Sequence, residues 1–321
     1  MIRKILRKVH RIFLGALMRY KDFMVSRRAI ESTILETIRG QQTLGQKKRL
    51  CLMAHFDAFG RFHECLQYYI RHLNERGFEI VLCSTAPRLD PHDLAAITPY
   101  CSLILRRENI GLDFASWKAA LSQLTDLSRY DLLLVNNDSV FGPIFDLEPI
   151  FKAFEHSDAD MGGLTDCWLK SYHLQSYFLL FKKAAFGSPA FQNFWSRVRL
   201  SYDKEAIIER YEVGVTQHFL AHHFKTFAAF PYHELRDRAL EEKSFQYHKD
   251  VVKQPVNPSI YMWDVLVRDF QFPFIKGEVL KLNKFESKNA YRWRSYIPGE
   301  KKYLREMISE YLKLGHRNCV G

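Results

Sequence analysis

No stretch of the chain reaches 18 consecutive apolar residues, so no segment is expected to span a bilayer as a helix. Two nucleotide fingerprints are absent. There is no G-x-G-x-x-G after the first strand and no G-x-x-x-x-G-K-[ST] anywhere, which argues against a dinucleotide oxidoreductase and a P-loop NTPase. A G-x-S-x-G elbow is missing too, which counts against an α/β-hydrolase. The six cysteines include no C-x-x-C pair, and the histidines show no H-E-x-x-H spacing. Neither a structural zinc site nor a disulfide framework is expected, and the cysteines read as small core residues.

A mildly acidic body with two basic ends is what remains. The net charge is +11, of which residues 1–50 carry +10 and residues 276–321 carry +6, leaving −5 for residues 51–275. A nucleic-acid binder needs a basic face across the fold, so nucleic acid is not an expected partner. In the first segment Ile2, Ile5, Leu6, Val9, Ile12, Phe13, Leu17, Tyr20, Phe23 and Met24 recur at steps of three or four. Arg3, Lys4, Arg7, Lys8, Arg11, Arg19 and Lys21 fall mostly off that stripe. Such a cationic amphipathic helix suits an anionic membrane surface, here through residues 1–24; packing on the domain or on a second subunit is the alternative. A signal peptide is not expected, since the apolar run Ile12–Met18 is short and no small-residue cleavage site follows it.

Three segments are expected: residues 1–46, a basic helical segment and linker; residues 47–290, the catalytic-type domain; and residues 291–321, a basic helical tail. In the middle segment strands alternate with helices. Leu50–Phe56, Phe78–Ser84, Cys101–Leu105 and Asp131–Val135 read as strands. Glu64–Arg76 and Phe114–Leu124 read as helices, the second with Asp113 as N-cap. The expected class is α/β, with a mostly parallel, Rossmann-type sheet flanked by helices. Ligands of such sheets bind beyond the carboxyl ends of the strands. Those ends carry His55 and Asp57, then Arg107, Asn109, Gly111 and Asp113, then Asn137, Asp138 and Ser139.

Three neighbouring strand ends each deliver an acid, and the expectation is that they converge on one pocket that grips a pyrophosphate. Asp113 and Asp138 pointing into separate regions, with no shared cavity between them, would collapse the enzyme assignment. Asp138 can ligate a hard cation bridging phosphates, or cap a turn. Asp113 can bond a sugar hydroxyl, or cap its helix. Arg107 can pair with a diphosphate, or make a surface ion pair. His55 and Asp57 can line a base or sugar pocket, or form a polar loop. Thr165 and Asp166, followed by His173, Gln175 and Ser176 among aromatics, suit a sugar site or the entry to a core strand. Glu212 can be a general base or can favour a helix N-terminus. Lys276 can reach a diphosphate, or lie on the surface.

His55…Asp57, Arg107-x-Asn109-x-Gly111-x-Asp113-Phe114, Asn137-Asp138-Ser139-x-x-Gly142-Pro143 and His173-Leu174-Gln175-Ser176-Tyr177-Phe178 together resemble the rhamnan synthesis protein F family over about residues 50–285. These are bacterial glycosyltransferases of cell-surface polysaccharide assembly, of O-antigen or lipopolysaccharide type. The resemblance implies a GT-A-like fold, a nucleotide-sugar donor such as dTDP-L-rhamnose, and a lipid-linked glycan acceptor. It also implies a peripheral protein at the cytoplasmic, inner face of the plasma membrane. Asn137-Asp138-Ser139 takes the place of the Asp-x-Asp motif but keeps a single acid, so a divalent cation (Mg2+ or Mn2+) at Asp138 stays open, as does a homodimer. Glu212 falls where an inverting enzyme of this kind has its base, although the usual Glu-Asp pair is Glu212-Val213 here. The implied assignment is catalysis by Glu212 and Asp138. Donor binding falls to His55, Asp57, Arg107, Asn109, Gly111, Asp113, Asn137, Ser139 and Lys276; acceptor binding falls to Thr165, Asp166, His173, Gln175 and Ser176. The alternatives are a non-catalytic scaffold that binds a nucleotide sugar or glycan, and a glycoside hydrolase using Asp138 and Glu212.

Overall fold

The computed structural model describes residues 15, 17–241, 253–281, 283 and 289–317. Its centre is a nine-stranded sheet. The strands are β1 (Ile34–Arg39), β2 (Arg49–His55), β3 (Phe78–Ser84), β4 (Leu103–Arg107), β5 (Leu132–Asn137), β7 (Met161–Cys167), β8 (His173–Leu174), β9 (Phe178–Lys182) and β10 (Thr226–Phe230). β6 (Val140–Phe141) and β11 (Ile275–Lys276) form a separate two-stranded ribbon.

Along the sheet the order is β1-β4-β3-β2-β5-β9-β7-β10, with β8 paired to β7. β2, β3, β4 and β5 are mutually parallel, and β7 is parallel to β10. β9 runs antiparallel to both β5 and β7, and β1 antiparallel to β4. The expected α/β class with a mostly parallel sheet is therefore present, with antiparallel strands at positions where an apolar run gives no direction. β3 and β5 are buried throughout, as strands covered on both faces must be.

Helices cover the two faces. On one side α2 (Glu64–Glu75) and α3 (Pro91–Ile97) pack with a core containing Tyr69, Phe78, Phe151, Phe154, Trp263 and Phe274. On the other α4 (Leu112–Leu121) and the helix Pro189–Arg197 enclose Phe114, Trp117, Phe191, Trp195 and Phe219. Each such side chain contributes roughly 1.5–3 kcal/mol by burial, so the two aromatic layers fix the sheet rigidly between them. Trp117 Nε1 donates to the Asn136 carbonyl (2.8 Å), which locks α4 onto the end of β5.

Three expectations are corrected. The sheet starts at β1, inside the segment read as N-terminal helix and linker; its mostly exposed residues give no apolar pattern to read. The C-terminal segment is not a tail, because Trp293, Ile297, Leu304 and Ile308 are buried in the core. Asp113 is not the N-cap of α4: Gly111 holds that place at φ +85°, and Asp113 lies in the first turn. Of the amphipathic N-terminal segment, residues 17–26 form a described helix, α1; residues 1–14 and 16 lie outside the described residues.

Candidate active site

β5 ends in Asn137, and α4 begins beside it with Asp113. Asn137 Nδ2 donates to Asp113 Oδ2 (2.7 Å), while Asn137 Oδ1 accepts from the Ser139 backbone N–H (3.1 Å) and from Ser139 Oγ (2.6 Å). The β6–β11 ribbon then brings in a cation from far along the chain. Lys276 pairs with Val140, and its Nζ donates to Ser139 Oγ (3.0 Å) while lying 3.8 Å from the centre of the Tyr177 ring. Glu212 arrives on a π-helical stretch, Ile208–Val213, that runs into the helix Gly214–Ala221. The Ser176 backbone N–H donates to Glu212 Oε1 at 3.5 Å.

Asp113, Asn137, Gln175, Ser176, Tyr177, Glu212 and Lys276 line one cavity of about 260 Å³, with Lys204, Asn257 and Glu278 also on its wall. Crowding of like charges tunes it. Burial pushes the Asp113 carboxyl up to about 6; Asp138 and Glu212 push the same way, while Asn137 and Lys276 oppose them. Burial brings the Lys276 ammonium down to about 8, partly offset by Glu212, Glu278 and Asp113. Near neutral pH the cavity thus holds a charged Lys276 beside an ionised Asp113, each within a narrow range of switching.

Asp138 faces elsewhere. With His55, Asp57, His63, Ser139, Lys281 and Tyr311 it lines a second cavity of only about 30 Å³, enough for one or two waters and too small for a base or sugar ring. Ser139 lies on this wall and accepts Lys276 from the first cavity, so the Asn137–Ser139–Lys276 bridge divides the two. The expectation of one shared pocket is corrected: Asp113 and Asp138 sense each other electrostatically but open into different spaces. The strand-end pattern alone therefore does not argue for an enzyme.

Several residues assigned to the donor prove structural. Arg107 is buried, with its guanidinium donating to the carbonyls of Glu108 (2.6 Å), Ile110 (2.6 and 2.8 Å) and Leu112 (3.3 Å), and to Ser116 Oγ (3.3 Å). Its expected contact with a diphosphate is corrected, since the loop it organises uses its donors. Gly111 serves the turn of that loop; a Cβ there would sit 2.7 Å from Ala115 Cβ. Asn109 is exposed and lines neither cavity. Asp57 Oδ1 accepts from the backbone N–H groups of Phe59 (2.8 Å) and Arg61 (3.0 Å), and Asp57 Oδ2 pairs with His63 Nε2 (3.2 Å). Burial raises its carboxyl, but the His63 and backbone bonds outweigh that and hold it well below the usual range. His55 bridges Ser84 Oγ (2.9 Å) and the Arg61 carbonyl (3.1 Å), and burial lowers it to about 4, so it is neutral.

Of the residues assigned to the acceptor, Gln175 and Ser176 line the larger cavity. Thr165 sits behind them, donating to Gln175 Oε1 (2.6 Å). Asp166 accepts the Tyr232 N–H (2.5 Å) and so caps the helix Tyr232–Glu241, and His173 pairs with the Ser171 carbonyl (2.8 Å). Neither reaches the cavity. Tyr177 and Asn257 were not singled out from sequence; the aromatic run containing Tyr177 was the signal for the first, and the second carried none.

Asp138 offers a cation one carboxylate. His55 Nε2 lies 3.8 Å from Asp138 Oδ2 and is already bonded to the Arg61 carbonyl. Burial and crowding lift its carboxyl to about 6 although 27% of the side chain stays open. The residues do not build a protein-only metal site there, so a cation at Asp138 would draw its other ligands from water and phosphate. Among the described residues, Asp90, His92 and Asp93 lie close enough to share an ion. Asp90 and Asp93 are engaged by the start of α3 and by Arg61.

The sequence profile of the family described as rhamnan synthesis protein F matches residues 80–314. An uncharacterized protein of Sinorhizobium fredii, y4gN, is 30% identical over 161 residues, covering 49% of this chain and 42% of that protein. Virulence protein VirA of Vibrio anguillarum is 28% identical over 200 residues, covering 57% of this chain and 64% of VirA. The match thus spans less than two thirds of either relative's length. Among solved structures, the glycosyltransferase GlyE of Streptococcus pneumoniae aligns with a TM-score of 0.44 at 16% identity, over 83% of this chain and 64% of GlyE.

Proposed function

The chain belongs to the rhamnan synthesis protein F family, and on that premise we propose that it is an inverting glycosyltransferase. It moves L-rhamnose or another deoxyhexose from a nucleoside diphosphate donor to a growing, lipid-linked cell-surface polysaccharide at the inner face of the membrane. The observation that carries the reading is the cavity where Glu212, Asp113 and Lys276 meet. Glu212, held by the Ser176 N–H, takes the proton of an acceptor hydroxyl. The oxygen then attacks the anomeric carbon as the bond to the diphosphate oxygen breaks, and the electron pair leaves with the diphosphate. Lys276 lies where it can neutralise that charge, which a pre-positioned cation does without reorganising. Asp113 and Asn137 offer acceptors and a donor for sugar hydroxyls. Asp138 is left as a partner for a phosphate-bound cation, and the proton and electron movements above do not run through it.

The test is release of nucleoside diphosphate from a panel of nucleotide sugars, with each donor's binding followed by thermal shift. Turnover of a deoxyhexose donor supports the reading. Binding without release from any donor would favour the scaffold alternative, for which the lone acid at Asp138 is the supporting observation.

A further inference from the structure

Helix α1 meets the domain in an unusual way. Its inner side is tied down: Asp22 Oδ1 accepts from Ser201 Oγ (2.8 Å) and the Tyr202 N–H (2.7 Å), and Val25 is buried in the core. Its outer side carries Leu17, Tyr20, Phe23 and Met24, at helical spacing and 39–61% exposed. Beside the helix runs a groove of about 860 Å³ whose charged lining is Arg19, Arg197, Arg199 and Arg210 against Asp22 and Asp203. Both acids are already engaged, Asp22 as above and Asp203 by the Ala206 N–H (3.0 Å). Arg19, Arg197 and Arg210 are exposed and form no ion pair among the described residues. A neighbouring groove adds Arg27 and Lys118 beside Glu31, while its Arg28 is paired with Glu108 at 2.7 Å.

We propose that this groove binds the phosphate headgroup of an anionic membrane phospholipid, while the outer face of α1 lies in the headgroup–acyl boundary. Arginines in excess over acids, flanked by an exposed apolar helix face, match that boundary in both charge and polarity. A nucleic acid would match the charge and leave the apolar face without purpose. The placement also has a consequence for the cavity. A single segment separates the two: Ala206, Arg210 and Tyr211 line the groove, while Ile207, Ile208 and Glu212 line the cavity. A lipid seated in the groove would touch the segment that carries Glu212; the link to acceptor delivery rests on the glycosyl-transfer reading, and the headgroup site does not.

The experiment is vesicle co-sedimentation of the full chain. Wild type should partition into vesicles containing phosphatidylglycerol, weakly into pure phosphatidylcholine, and less as salt rises. The triple change Arg19→Ala, Arg197→Ala and Arg210→Ala should weaken binding about 100-fold, from about fivefold per basic residue. If that variant melts early, the matching Arg→Lys triple should bind like wild type. Tyr20→Ser with Phe23→Ser should weaken binding while keeping the salt response. Equal partition of wild type and the alanine triple would overturn the proposal. So would displacement by inorganic pyrophosphate at matched ionic strength, or tighter binding to a labelled DNA oligonucleotide than to vesicles. Nucleotide release on a soluble acceptor, read on the same wild-type sample, separates the two failures: vesicle binding without release removes the transfer reading alone, and release without vesicle binding removes the headgroup site alone.

Discussion

Asp113→Asn should stabilise the apo protein and do so only where the aspartate is ionised. Burial and like charges raise the Asp113 carboxyl from its ordinary 3.8 to about 6. At 1.36 kcal/mol per unit, that rise of about two units destabilises the folded chain by up to about 3 kcal/mol at neutral pH. The native state holds the proton more tightly than the unfolded chain between pH 4 and 6. Stability therefore falls as pH climbs through that window and is level above it. Asparagine keeps an oxygen for the Asn137 amide at 2.7 Å and removes the charge. The attraction to Lys276 is already counted in that net rise. A gain of up to about 3 kcal/mol follows, or up to roughly 5 °C in Tm for a chain of this size. Thermal denaturation of both proteins across pH is the assay. The gap should be full above pH 6 and close near pH 4. A gap that is constant with pH, or a variant that melts lower at pH 8, would refute the electrostatic account of the cavity.

Lys276→Met should lower kcat/KM for the donor by about 10²–10³-fold, the range for losing one charge-stabilising group. In wild type, donor binding should decline as pH rises past about 8, where Lys276 loses its proton, and the variant should lack that limb. Arg107→Met should cost about 3 kcal/mol, because the buried carbonyl of Ile110 and the part-buried carbonyls of Glu108 and Leu112 lose their partner; chemical denaturation reads this directly. Ile308→Ala should destabilise the whole domain by about 2–5 kcal/mol in a single transition, whereas a detached C-terminal tail would leave the midpoint unchanged.

The central strands were legible because apolar runs such as Phe78–Ser84 can only be buried on both faces. Direction was not: Phe178–Lys182 is five apolar and basic residues that read alike either way, and it turned out antiparallel. β1 was missed because an edge strand need not be apolar. At the site, Asp113, Asn137, Gln175, Ser176, Glu212 and Lys276 were all named from sequence and meet in one cavity. Arg107, Asp57 and His55 were named by the same logic and brace neighbouring loops instead, because a sequence does not reveal which backbone groups need a partner. The wall between Asp113 and Asp138 was equally hidden. It depends on Lys276 reaching Ser139 across 137 residues of chain, through a two-stranded ribbon too short to announce itself.

Glu212 carries the chemistry in this account, so the most direct measurement is turnover by Glu212→Gln with donor affinity determined on the same preparation. The account predicts that kcat falls by about 10²–10⁴-fold while the donor binds as it does to wild type. An unchanged kcat in a variant that still binds donor would contradict it.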